Sequence, residues 1–320
     1  MEYDYLVDKA SWPTLNDLPP LDTEDNSVEA IAAHRQKGVE QSRLDQVGYK
    51  PTKIIHVKGL NGAPDVELRV FGALDGLEKP ALYHIHGGGY VFGAAESNDD
   101  RNWVIAQQND CIVVSVAYRK PPEDPFPAPL EDCYAGLAWI FRNANEINID
   151  RSKIVITGDS AGAGLAAATA LMAHDLGEVR LAGQVLIYPM ADYRTGGPDE
   201  ISPNPTTGHY VWKRNYNQFG WKHYRGDYDL ADADNGYFSP VLRKDLSDIA
   251  PVYIATGALD LFLEENLDYA TRVSKAGVPM ELHVYPGAVH GFYNFGDCAI
   301  TRKFIADRNV ALACFWGRDS

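Results

Sequence analysis

The chain has no run of 18 apolar residues, so nothing in it reads as a helical membrane span. Its opening residues, Glu2-Tyr3-Asp4-Tyr5, lack a basic stretch followed by an apolar core, and no secretory leader is expected there. Cysteine is sparse. Cys111, Cys133, Cys298 and Cys314 form no C-x-x-C pair and fall in or beside apolar segments. That pattern predicts free, mostly buried thiols in a reducing, cytoplasmic setting. Positive charge is also short: 29 Lys and Arg stand against 44 Asp and Glu, a net charge of -15, with a pI near 5.0. The basic residues are scattered, which argues against a nucleic-acid partner and leaves little to hold an anionic membrane surface. No internal repeat or low-complexity stretch is present.

What is there is a patterned α/β chain. Strand-like runs recur at 53–57, 66–71, 81–85, 112–117, 154–157, 183–188, 252–256 and 281–285. From the third onward most are separated by helix-length segments, at 98–109, 130–143, 161–174, 263–276 and 301–315. Such alternation predicts an eight-stranded, mostly parallel sheet flanked by helices, and runs such as Ile112-Val113-Val114 suit burial on both faces. At 320 residues and 45% hydrophobic content one catalytic domain, 1–320, is expected. Two stretches break the alternation. Residues 1 to about 50 carry a helical pattern around Ser27 to Gln41, and residues 190 to about 240 hold ten aromatics, among them Tyr210, Trp212, Tyr216, Phe219, Trp221 and Tyr224. Single rings there suit ordinary helix packing; as a group they read as a lid over an apolar cleft.

The most informative stretch is Gly158-Asp159-Ser160-Ala161-Gly162, between the apolar run Ile154 to Thr157 and the Ala-rich run Ala163 to His174. A strand that feeds a helix through a turn flanked by two glycines raises the serine hydroxyl above the sheet, as a nucleophile elbow does. Gly162-Ala163-Gly164 could instead open a dinucleotide fingerprint. That motif wants an acidic residue at the end of the next strand, which here runs into Pro189 and Met190.

A serine hydroxyl needs a base to take its proton and a carboxylate to hold that base. In this topology the acid and then the histidine follow the nucleophile, each in a loop after a strand. Asp260 follows 252–256, and His290 follows 281–285 through Pro286-Gly287-Ala288-Val289. Because the base must be neutral, activity is expected to rise with pH as the imidazole loses its proton. His86-Gly87-Gly88-Gly89, after the third strand, can present unobstructed amides, and Gly88, Gly89 and Ala161 are the expected oxyanion hole. His84 and His86 share a strand face, but no third ligand is near them in sequence, so no metal is expected. His86 and Gly87 are read as support for the glycine loop.

With H-G-G-G at 86–89 upstream of G-D-S-A-G at 158–162, and with Tyr118-Arg119, Pro127 to Asp132 and the 260 and 290 loops, the chain resembles the hormone-sensitive-lipase-like family of α/β-hydrolase carboxylesterases over about residues 45 to 315. The resemblance implies an α/β-hydrolase fold with a two-part helical cap at about 1–50 and 190–240. It also implies hydrolysis of short- to medium-chain carboxylic esters, a small-molecule ester as partner, and no cofactor. A homodimer through 281–285 or 301–315 is the family's habit. Alternatives on the same scaffold are a non-catalytic small-molecule receptor, a lyase, and a lipase acting on longer acyl chains; peptidase action fits less well. Ala163-Gly164 and Leu261-Phe262-Leu263-Glu264 depart from the family pattern, the first behind Ser160 and the second beside the expected acyl site.

Overall fold

The computed structural model describes residues 2–21, 23–25, 27–45 and 47–318. Its strands are β1 (Lys53–Val57), β2 (Val66–Phe71), β3 (Lys79–Ile85), β4 (Ile112–Ala117), β5 (Ile149–Asp159), β6 (Gly183–Ile187), β7 (Val252–Gly257) and β8 (Met280–Tyr285). They form one sheet in the order β1-β2-β4-β3-β5-β6-β7-β8. β1 pairs antiparallel with β2, and β2 with β4; from β4 to β8 every pairing is parallel. The C-terminal ends of those six strands therefore lie along one edge, where a parallel sheet collects its functional loops.

The helices are α1 (Trp12–Asp17), α2 (Val28–Asp45), α3 (Asp99–Gln108), α4 (Ala128–Arg142), α5 (Ala161–Leu176), α6 (Arg214–Arg225), α7 (Leu263–Lys275) and α8 (Ala299–Phe315). Period-two alternation in the strands splits the core between two layers. Ala81, Tyr83, Ile85, Ile154 and Ile156 pack with α4, α5 and α7 on one face. Leu82, Val113, Val155, Val185 and Tyr253 pack with α3 and α8 on the other. β4 is buried over five of its six residues, Ser115 included, as its apolar start Ile112-Val113-Val114 suggests. Among the described residues no helix is long and apolar enough to cross a membrane.

Three details differ from the sequence reading. α1 is a short extra helix started by Pro13, too brief to leave a periodic signature. β5 begins at Ile149 rather than Ile154, because the polar residues 150–153 belong to a strand end joined to β3 across a register shift between Lys79 and Ala81. Of the thiols only Cys111 and Cys133 are buried; Cys298 is half-buried and Cys314 exposed. Cys314 lies on the solvent side of α8, whose inward face carries Phe304, Arg308, Ala311 and Leu312.

Both stretches outside the alternation converge on the loop after β3. Ile31 of α2 and Phe219 of α6 pack with Val91 of that loop. Val7 near the N-terminus and Tyr210 cluster with Leu259 and Val289 from the loops after β7 and β8. Polar contacts join the two stretches directly: Tyr210 donates to Asp4 Oδ1 at 2.7 Å, and Tyr216 Oη accepts from the Leu21 amide at 3.2 Å.

Candidate active site

Ser160 sits between β5 and α5 with φ 57° and ψ -123°, a conformation that costs a non-glycine residue on the order of 1–3 kcal/mol and persists only where its surroundings enforce it. The surroundings are backbone. The Ser160 amide donates to Ile187 O at 2.9 Å, and its carbonyl accepts from Ala163, Gly164 and Met190 at 3.0–3.1 Å. The flanking glycines are required by close approach rather than by turn angle. A Cβ on Gly158 would lie 2.7 Å from Ala163 N, and one on Gly162 2.5 Å from His86 O, at the end of β3. The departure at Ala163-Gly164 is likewise a packing matter: a Cβ on Gly164 would lie 2.5 Å from Tyr90 Oη.

The loops after β7 and β8 bring two more side chains to this point. They are tied to each other by Leu259 N to Ala288 O at 2.9 Å and Ala258 N to Tyr285 O at 3.0 Å. Asp260 is fully buried, and its Oδ1 accepts from the Phe262 amide at 2.9 Å. Its Oδ2 lies 2.8 Å from His290 Nδ1, while His290 Nε2 lies 3.0 Å from Ser160 Oγ. The imidazole is walled by Tyr188, centroid to centroid 4.6 Å, and by the edge of Phe262 at 5.3 Å. A hydroxyl, a base and an orienting carboxylate in this chain of contacts can move a proton off the serine oxygen. Ser160 and His290 are only 6% and 7% exposed, so bulk water is largely kept from the transfer. In the departing segment after the acid, Leu261 lies against Gly208, and Glu264 Oε1 accepts from Asn204 Nδ2 at 2.8 Å.

The glycine loop after β3 is braced by the two carbonyls that precede its free amides. His86 Nδ1 donates to Gly87 O at 2.8 Å, and Tyr118 Oη donates to His86 O at 2.9 Å with the two rings stacked. Burial, with Lys120 nearby, pushes the His86 imidazole down to about 3, so it stays neutral and keeps the tautomer this bond needs. Among the described residues the amides of Gly88, Gly89 and Ala161 donate to no protein acceptor. Three unspent N–H groups in a buried site suit a developing negative oxygen.

Sequence reasoning missed what lies under Ser160. Asp159, the second residue of the pentapeptide, receives Arg101 Nη2 at 3.1 Å and has His84 Nε2 at 3.6 Å. Burial would raise its carboxyl, but Arg101 and His84 outweigh that and hold it well below the usual carboxylate range. Arg101 also donates to Tyr293 Oη and Asn98 Oδ1. His84 thus points to this ion pair and to Ser115 Oγ at 3.2 Å, whereas His86 points to the loop. Among the described residues no three His, Cys, Asp or Glu side chains are grouped to hold a metal ion.

Set beside known proteins, residues 82–294 match the model of a family described by its alpha/beta hydrolase fold. The chain is 31% identical over 283 residues to carboxylesterase NlhH of Mycobacterium tuberculosis, covering 80% of this chain and 82% of that protein. It is 31% identical over 238 residues to an arylesterase of Saccharolobus solfataricus, covering 71% and 73%. Among solved structures it is similar to a bacterial heroin esterase with a TM-score of 0.87 and 31% identity over 99% of both chains. An esterase from Pyrobaculum calidifontis superposes with a TM-score of 0.82 at 29% identity, over 96% of this chain and 98% of that one.

Proposed function

Because this chain belongs to the α/β-hydrolase-fold family and is a carboxylic ester hydrolase of its hormone-sensitive-lipase-like branch, we propose that it cleaves short- to medium-chain esters through a Ser160–His290–Asp260 triad. Ser160 Oγ bonds to the ester carbonyl carbon as His290 Nε2 takes its proton. Asp260 holds the imidazole by Nδ1 and offsets the positive charge that forms. The carbonyl oxygen, now negative, is met by the amides of Gly88, Gly89 and Ala161. Collapse breaks the bond to the alcohol, which leaves with the proton from His290, and an acyl-enzyme remains. Water then gives a proton to His290 and attacks the acyl carbon; the bond to Ser160 Oγ breaks as His290 returns that proton to it, releasing the acid and restoring both residues. No step needs a cofactor.

The reading is carried by one observation: the unbroken run from Ser160 Oγ through His290 to Asp260 Oδ2, at 3.0 and 2.8 Å. The segments before β1 and between β6 and β7 serve as the cap, and the aromatic residues they gather over the glycine loop favour a small enclosed pocket over an open lipid-binding face.

A fluorophosphonate label and a Ser160→Ala variant test it together. Wild type is expected to be labelled on Ser160, and the variant to lose labelling and all but a few per cent of ester hydrolysis. A Ser160→Ala protein with substantial turnover contradicts the assignment. An ethyl ester series from acetate to palmitate, followed by acid release, tests chain length; a maximum at the long end points to a lipase instead.

A further inference from the structure

One ring above the site is fixed at both of its ends. Trp212, 9% exposed, donates from Nε1 to Asn217 Oδ1 at 3.1 Å. Asn217 is fully buried, and its Nδ2 donates to Thr195 O at 2.6 Å, so its amide can face the indole only one way. The preceding residue, Val211, has φ 58°, a conformation that a β-branched residue keeps only when its surroundings hold it. The far edge of the indole lies on the main chain of Gly89: a Cβ there would come within 2.6 Å of Cζ2 and closer to Cη2. The same ring is 6.3 Å, centroid to centroid, from His290.

The indole therefore spans from the glycine loop to the imidazole. Resting on the triad reading above, this position singles out one part of the substrate. In the tetrahedral intermediate the negative oxygen faces the Gly88 and Gly89 amides, the leaving oxygen faces His290 Nε2, and the acyl carbon projects away from both. A side chain that touches Gly89 and flanks His290 borders the leaving alkoxy group. We propose that Trp212 is the residue that sets alcohol specificity, restricting the enzyme to esters of short, unbranched primary alcohols while leaving the acyl chain to other walls.

The test uses the full chain as wild type, Trp212→Ala and Trp212→Phe. kcat/KM is measured for ethyl, butyl, hexyl and isopropyl acetate, and for ethyl acetate, butyrate and hexanoate. In Trp212→Ala the hexyl-to-ethyl acetate ratio is expected to rise about ten-fold or more, with the acyl ratio moving less than about two-fold; Trp212→Phe falls between. A folded Trp212→Ala with an unchanged alcohol ratio, or with the larger shift in the acyl series, overturns the assignment. If circular dichroism shows Trp212→Ala unfolded, Trp212→Phe decides: a rise of about three-fold supports it and none refutes it. Ser160→Ala separates the two layers. If that variant still cleaves ethyl acetate, the triad reading falls and this inference with it. If it is inert while the alcohol ratios stay fixed, only the role of Trp212 falls.

Discussion

If the proposed triad and oxyanion amides carry the reaction, adding one methyl group at Gly89 should disable the site without touching Ser160, His290 or Asp260. A Cβ there would meet Trp212 Cζ2 at 2.6 Å, about 1 Å inside ordinary carbon contact of about 3.5–4.0 Å. The indole is held by Asn217 and cannot retreat freely, so the loop must move. Displacing a reacting group or donor by about 1 Å can cost on the order of 100-fold, and loss of a single oxyanion donor about 100- to 1,000-fold in kcat. Gly89→Ala is therefore expected to lose 100-fold or more in kcat, with KM little changed because the donors act on the transition state. Stability falls as well. The left-handed conformation of Gly89, φ 59°, adds about 1–2 kcal/mol for alanine, and overpacking about 1–3 kcal/mol.

The double variant Gly89→Ala/Trp212→Ala isolates the clash. The backbone term is present in both proteins that carry Gly89→Ala, so it cancels in the cycle, whereas the steric term disappears once the indole is gone. The expected result is a double variant within about ten-fold of Trp212→Ala in kcat, a coupling of about 1.5–3 kcal/mol. Steady-state kinetics on ethyl acetate by acid release, with melting curves for all four proteins, measure it. A Gly89→Ala enzyme within ten-fold of wild type refutes the reasoning. So does a double variant as slow as the product of the two single losses.

Two further tests concern buried charge. Arg101→Met leaves the Asp159 carboxylate without the partner that lies 3.1 Å away and should cost up to about 3–5 kcal/mol, since a largely buried charge is left with only His84 beside it. The sign follows from a depressed folded-state value: the stabilisation is present above the unfolded carboxylate range near 4 and fades as pH falls below it. The melting difference from wild type should thus be full at pH 7 and shrink toward pH 3; a constant difference would show that Asp159 is not involved. Glu265 behaves oppositely. It is 6% exposed, and its Oε1 accepts from the Ala191 and Asp192 amides at 2.6 and 3.1 Å. Burial, then Asp192, pushes its carboxyl well above the ordinary value. Above about 4.5 the unfolded chain ionises while the folded one keeps its proton, so wild type loses stability as pH rises, by up to about 1.4 kcal/mol per pH unit. Glu265→Gln should match wild type near pH 4.5 and melt higher at pH 8, and equal melting curves at both would exclude the buried proton.

How much of this could be read from the chain depended on whether the physics was local. β4 has the bounds that its apolar start suggests, because burial over five of its six residues writes itself directly into composition. The turn at Ser160 was legible for a related reason: strand, glycines and Ala-rich helix are contiguous, and the close approaches at Gly158 and Gly162 leave no substitute for glycine. Asp159 lies inside that motif, yet its partner Arg101 is 58 residues away on α3. The pair exists only because the strand order places β3 between β4 and β5. Nothing in either local sequence announces such a meeting. α1 and the polar start of β5 were missed for the complementary reason, that a six-residue helix and a strand end of Asp, Arg, Ser and Lys carry no periodic apolar signal.

The same division separates the reaction from its selectivity. Loops after β3, β5, β7 and β8 supply the free amides, Ser160, Asp260 and His290, and all leave the same edge because the sheet is parallel from β4 to β8. On the proposed mechanism, topology assembles the reacting groups once each loop carries its residue, and the order of acid and base along the chain follows from the order of strands. Trp212 is placed by none of this. It lies in an irregular stretch before α6 and is aimed by Val211, Asn217 and a glycine more than a hundred residues earlier. On the proposed mechanism the chemistry rests on strand ends and not on such stretches, whereas the shape of the space above Gly89 depends on one side chain meeting one backbone. Esters should thus be cleaved by the same four loops in relatives whose equivalent stretch differs, and distinguished by whatever ring or gap those relatives set above the glycine.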